Sequence, residues 1–145
     1  MVNLKILILS HAQYITVALP KIIEFAEALT ELGHEITLVA THRTNKIETE
    51  RFTKNGVEYL LSPSVLPGNL RHGADFYDAF RRIRLLKNKN FDIIHAIDSR
   101  PSVILPALYL KKRKDIPLIL EWSDWFGKGG TIEERSSKLY STTIG

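Results

Sequence analysis

Asp98, Ser99 and Arg100 are the residues of this chain best placed to do chemistry. They follow Ile93, Ile94, Ala96 and Ile97, a short apolar run that reads as a buried strand. In an open parallel α/β sheet, ligands collect at the carboxyl ends of the strands. A carboxylate delivered to that edge can accept hydrogen bonds from sugar hydroxyls or take a proton from one. The plainer role for Asp98 is to cap a helix beginning near Pro101. Arg100 suits a phosphate or an acidic partner, and Ser99 adds a hydroxyl. His11 stands just after the first apolar run, with Ser10, Gln13 and Tyr14 beside it. It could donate to a hydroxyl or a phosphate, or be a solvated loop histidine. His95 is out of phase with Asp98, which points it into the packing as a hydrogen-bonded structural histidine.

A second constellation lies further on. Trp122 and Trp125 flank Ser123 and Asp124. Two indoles beside an acid at a strand end fit a sugar platform, with ring faces stacking and polar groups bonding hydroxyls. Core packing explains at least one of the tryptophans equally well. Gly127, Gly129 and Gly130 then precede Thr131, which can cap a helix. Glycines there permit close approach of a ligand, so Gly129 and Gly130 could form an anion nest, or simply a flexible loop.

The elements that must position these groups follow from the hydrophobic pattern. Residues 4–9 are continuously apolar, the mark of a buried parallel strand. A helix follows to about residue 32, with Pro20 confined to its first turn and Gly33 as a left-handed stop. Residues 35–41 are the second strand, so the unit is β-α-β with a right-handed crossover. Residues 43–55 are polar and form either a short hairpin or an excursion. Residues 57–61 make a third strand. Asp75 caps a helix whose buried face is expected to be Phe76, Phe80, Ile83 and Leu86. Residues 93–97 are the fourth strand, and Ser102 is expected to cap the next helix. That helix should turn Ile104, Ala107 and Leu108 inward, with Pro106 inside its first turn. Residues 117–122 are the fifth strand. The sum is a doubly wound, Rossmann-like parallel α/β sheet in the order 3-2-1-4-5.

With 145 residues the chain suits one domain. It has no cysteine, which excludes disulfides and thiolate metal sites and fits a reducing, cytoplasmic setting. The apolar run near the N-terminus is too short for a signal peptide or a membrane span. The net charge of +4 is mild but clustered in Arg81, Arg82, Arg84, Lys87 and Lys89, and in Lys111, Lys112, Arg113 and Lys114. Both clusters suit helix C-termini, or contact with an anionic membrane. The first βα turn has no glycine before Gly33, so a dinucleotide-binding G-x-G-x-x-G is excluded there. A Walker A loop and a response-regulator acidic pair are missing as well.

The motifs in their order resemble the N-terminal half of GT-B glycosyltransferases of the group 1, or GT4-like, family. The residues that carry the likeness are K-I-L-I-L-S at 5–10, A-L-T-E-L-G-H-E-I-T-L-V-A at 28–40, F-D-I-I-H-A-I-D at 91–98 and E-W-S-D-W-F-G-K-G-G-T-I-E-E-R at 121–135. The resemblance implies an acceptor-side domain spanning 1–145. A nucleotide-sugar donor would be held by a C-terminal domain absent from this chain. It further implies transfer to a sugar or lipid-linked acceptor without a metal or other cofactor, no nucleic-acid partner, and a role in cell-envelope polysaccharide synthesis. Where the family often has a glycine pair, this chain has Ser10-His11-Ala12-Gln13. Where the family has the second histidine of H-A-H-D, this chain has Ile97. The expected catalytic roles therefore fall on Asp98 and His11. Ser10, Gln13, Ser99, Arg100, Trp122, Asp124, Gly129 and Gly130 are the expected acceptor contacts. The chain alone is expected to be inactive, and the basic helix to touch the inner face of a membrane. The alternative is a non-catalytic, flavodoxin-like module binding a small anion or a protein.

Overall fold

The computed structural model describes residues 2–14, 19–44, 47–66 and 75–122. The elements run β1 (Lys5–Gln13), α1 (Leu19–Glu31), β2 (Glu35–Thr41), β3 (Glu50–Lys54), β4 (Val57–Ser62), α2 (Phe76–Leu86), β5 (Ile93–Ile97), α3 (Pro101–Lys114) and β6 (Leu118–Glu121). They form one six-stranded sheet in the order β3-β4-β2-β1-β5-β6. The five expected strands take their expected order, all parallel. The sixth, β3, pairs antiparallel with β4 at the edge. The hairpin reading of the polar stretch is therefore the one realised. Its turn places Asn55 and Gly56 at φ 52 and 81, the left-handed pair a tight two-residue turn requires.

Strand alternation divides the core into two layers. Leu7, Leu9, Val39, Leu60, Ile94 and Ala96 pack on one face against Leu86, Val103, Ala107 and Leu110 of α2 and α3. Ile6, Ile8, Ile36, Leu38, Tyr59 and Ile97 pack on the other against Ala26, Ile22 and Leu29 of α1. β1 lies between β2 and β5 and is buried on both sides, which is why its residues 6–9 are continuously apolar. Helix α1 begins at Leu19 with Pro20 in its first turn and stops at Gly33, φ 96, as the sequence predicts.

Several expectations are corrected. Residues 10–13 are not a loop. β1 continues through them with a register shift, Leu9 facing Val39 and Gln13 facing Thr41. Helix α2 is capped by Asp75 as expected, its carboxylate accepting from the Tyr77 amide, but it is rotated. Asp78, Ala79, Arg82 and Leu86 face inward, while Phe76 and Phe80 are exposed. Polar groups on the sheet edge select Arg82, and the aromatic stripe is left outside. Arg82 therefore belongs to no surface cluster. The N-cap position of α3 is held by Arg100 rather than Ser102, without a side-chain capping bond, and Pro101 starts the helix. Pro106 sits buried in its interior, beyond the first turn, and Leu108 is exposed, because Val103, Pro106, Ala107 and Leu110 line the buried face.

Candidate active site

The bulged end of β1 places His11 beside the end of β5. Four residue steps from Leu9 to Gln13 oppose two on β2, so the strand kinks where it reaches the ligand edge. Nε2 of His11 lies 3.0 Å from Oδ2 of Asp98. These residues are 87 apart in sequence, and both are largely buried, at 22% and 14% side-chain exposure. With Asp98 ionised as acceptor, the network assigns the proton to Nε2. Nδ1 of His11 is then a buried acceptor without a hydrogen-bond partner among the described residues.

Asp98 stands at φ 67, in the left-handed region. Aspartate tolerates this better than most residues, and such positions gather where a site imposes them. Its amide donates to the carbonyl of Glu121 at 2.7 Å, which holds the turn to the adjoining strand. One neighbour along the edge, His95 Nε2 lies 2.8 Å from Oε2 of Glu121, and its ring meets Phe25 edge-on at 5.6 Å. His95 is hydrogen-bonded, as expected. It nevertheless faces the cleft rather than the packing, because it shares the α1 side of β5 with Ile97.

These groups surround one cleft of about 720 Å³ between α1 and the carboxyl ends of β1, β5 and β6. His11, Lys21, Phe25, His95, Asp98 and Glu121 give it two histidine–carboxylate pairs, one amine and one aromatic wall. An apolar cavity with a few convergent polar groups is the usual form of a small-molecule site. Among the described residues no group of three or more histidines, cysteines or acids could hold a metal ion.

The structure brings Asp98, His11 and Ser10 together on this cleft. Gln13 is half-buried at the end of β1, Ser99 is exposed and Arg100 stands at the N-cap position of α3, all outside the cleft lining. Trp122 is 62% exposed and does not line it. Asp124, Gly129 and Gly130 lie outside the described residues. Tyr14 joins an aromatic cluster with Phe52 and Tyr59. Sequence reading missed Lys21, Phe25 and the His95–Glu121 pair. An acid closing the last strand, next to a strand carrying a histidine, was the available signal.

Behind the edge lies a buried ionic cluster. Arg82, fully buried, donates to Asp78 Oδ1 at 3.2 Å, Ser62 Oγ at 2.9 Å, Thr41 Oγ1 at 3.0 Å and the Ser10 carbonyl at 2.7 Å. Burial pushes the Asp78 carboxyl above its usual range, with Arg82 and Ser62 pulling the other way.

The sequence profile of Glycosyltransferase Family 4 matches residues 22–132, more than half of the chain. The chain belongs to Glycosyltransferase Family 4. No curated protein matches it at a significant level. Among solved structures, this family 4 domain is similar to the C-terminal domain of a hydrogenase from Pyrococcus furiosus. The TM-score is 0.56 at 15% identity, covering 83% of this chain and 93% of that one. At that identity the likeness concerns the fold alone. The matched family segment carries Asp98, His95 and Glu121, and so most of the cleft.

Proposed function

We propose that this family 4 domain is the acceptor side of a glycosyltransferase that moves a hexose from a nucleotide-sugar to a hydroxyl of a glycan or lipid-linked acceptor. The observation that carries this reading is the His11–Asp98 pair at the carboxyl edge of the sheet, facing an open cleft. One Asp98 oxygen accepts from His11. In this reading Asp98 also accepts from an acceptor hydroxyl, which raises the electron density on that hydroxyl oxygen. As that oxygen bonds to the anomeric carbon, the bond from that carbon to phosphate breaks. The nucleotide diphosphate leaves, and the hydroxyl proton passes to a base. Phe25 offers an apolar face to a sugar ring, and Lys21 and Glu121 offer polar contacts at the rim. The donor would be held by a second domain, so the 145-residue chain alone should not turn over.

The test uses a protein that carries both halves, assayed for nucleotide release from UDP-, GDP- and ADP-sugars. Asp98→Asn keeps the left-handed turn but removes the charge, and should lower turnover about 100-fold. Turnover unaffected by Asp98→Asn would remove Asp98 from the chemistry. No turnover with any donor, despite a folded second half, would favour the binding-module reading instead.

A membrane-bound acceptor is favoured by the outer face of α2. Phe76, Tyr77 and Phe80 are exposed there, with Arg81 5.6 Å over the Tyr77 ring and Arg84 6.0 Å over that of Phe80. The acid of α2, Asp78, is buried, and α3 carries none. Aromatic and cationic side chains without carboxylates suit an anionic bilayer surface. Among the described residues no helix is long and apolar enough to cross a membrane. Binding to phosphatidylglycerol vesicles should weaken on Arg81→Glu with Arg84→Glu. Vesicle binding unchanged by that pair would end this part of the proposal.

A further inference from the structure

His11 depends on a residue that never reaches the cleft. Its backbone is held on both sides. The carbonyl of Ser10, in the peptide preceding His11, accepts from Arg82 Nη1 at 2.7 Å. The carbonyl of His11 itself accepts from Thr41 Oγ1 at 3.1 Å, and that hydroxyl accepts from Arg82 Nη2 at 3.0 Å. Both peptide planes flanking the His11 Cα are therefore tied to one guanidinium. The Ala12 amide adds a bond to Ser10 Oγ at 3.1 Å, and the Tyr14 amide bonds the Thr41 carbonyl at 2.9 Å.

The cluster lies where regular pairing fails. Between Leu9 and Gln13 the ladder to β2 shifts register, so β1 lacks there the regular pairing that would set its conformation. A planar, always-charged fork with donors in fixed directions can replace those bonds. Its third nitrogen, Nε, is anchored by Asp78 and Ser62, and Ser62 Oγ donates to Asp78 Oδ1. Carrying a charged side chain into a site with no exposure has a desolvation cost, repaid here only by four acceptors. An apolar side chain would serve packing alone at lower cost.

We propose that Arg82, acting through Thr41 and the Ser10 carbonyl, is a positioning residue that sets the direction of the His11 imidazole toward Asp98. The inference rests on the reading of His11 and Asp98 as the working pair. Helix α2 is thereby coupled to the site through the sheet edge, although α2 contributes no residue to the cleft lining.

The test compares two buried hydroxyls that both bond Arg82, of which Ser62 bonds Asp78 and the Ala40 carbonyl in place of the His11 carbonyl. Thr41 also bonds the His11 carbonyl, and Ser62 does not. Thr41→Val is nearly isosteric and removes only the hydroxyl, and Ser62→Ala is the matched control. Imidazole ¹⁵N and ring-proton resonances of His11 are recorded on the 145-residue chain, with Asp98→Asn as the reference for a broken pair. Thr41→Val should move the His11 ring signals toward the Asp98→Asn position. Ser62→Ala should leave them in place at similar loss of stability, and Thr41→Ser should restore them. Should Thr41→Val not fold, Thr41→Ala against Thr41→Ser carries the same comparison. Unmoved ring signals in a folded hydroxyl-less variant, or equal movement in Ser62→Ala, would overturn the proposal. In a protein carrying both halves, Thr41→Val should lower kcat about 10- to 100-fold with KM little changed. Displaced ring signals with kcat intact would leave the positioning role standing and refute the catalytic reading of His11.

Discussion

Replacing Arg82 by methionine should cost far more than its loss of packing. Methionine fills much of the volume but offers no donor, so Asp78, Ser62, Thr41 and the Ser10 carbonyl each lose a partner inside a site with no solvent. Removing one member of a buried ion pair typically costs about 3–5 kcal/mol, because the other charge is left uncompensated. The orphaned Ser10 carbonyl adds about 1–3 kcal/mol, though contributions within one network do not sum. A loss near 4 kcal/mol is a large share of the roughly 5–15 kcal/mol that holds a domain folded. Urea unfolding followed by circular dichroism reads it directly.

The loss should also depend on pH, with a fixed sign. Burial already raises the Asp78 carboxyl above the usual aspartate range, and Arg82 is the strongest group opposing that rise. Without Arg82 the carboxyl in the folded state rises further and binds a proton that the unfolded chain does not. Stability of the variant then falls as pH climbs from about 4 through the raised folded value. The cost of Arg82→Met should therefore be greater at pH 7 than at pH 5. Adding Asp78→Asn should recover part of the loss at pH 7, since the unpaired charge is gone. A cost under about 1 kcal/mol, or one that grows on acidification, would refute the reasoning.

Three further outcomes follow from single contacts. Gly56→Ala should cost about 1–3 kcal/mol more than Gly33→Ala by thermal unfolding. Both glycines have positive φ, but a Cβ at Gly56 would lie 2.5 Å from Thr30 Cγ2, while none of the surroundings of Gly33 comes within 4 Å; equal losses would sink the steric account. Tyr59 is stacked on Phe52, and burial, with Glu27 and Tyr14 nearby, pushes its phenol up to about 12. Ultraviolet titration should show Tyr59 ionising late, and stability should fall as pH rises from about 10 to about 12, since the unfolded chain loses that proton first; Tyr59→Phe should reduce the slope. Phe76→Ser and Phe80→Ser should each change stability by less than about 0.5 kcal/mol, whereas Leu86→Ala should cost about 2–5 kcal/mol. The reverse ranking would restore the aromatic face of α2 to the core.

The sheet was legible because parallel strands buried on both faces write themselves as continuous apolar runs. Residues 6–9 and 38–40 did so, with Gly33 marking the helix stop between them. The same logic places Asp98 and His11 at the carboxyl edge. Local pattern failed where side chains were chosen by distant polar partners. Apolar periodicity put Phe76 and Phe80 inward on α2, yet carbonyl and hydroxyl groups from β1, β2 and β4 needed a donor, and Arg82 supplies it.

The amino-acid sequence by itself determined the five parallel strands, their order and the edge at which chemistry would gather, because hydrophobic burial is read residue by residue. Only the tertiary structure decided that His11 meets Asp98 across 87 residues, that His95 turns to Glu121 in the same cleft, and that Arg82 lies inside. Those outcomes depend on a register shift in β1 and on hydrogen bonds between elements far apart in the chain. Local sequence periodicity carries no term for such bonds.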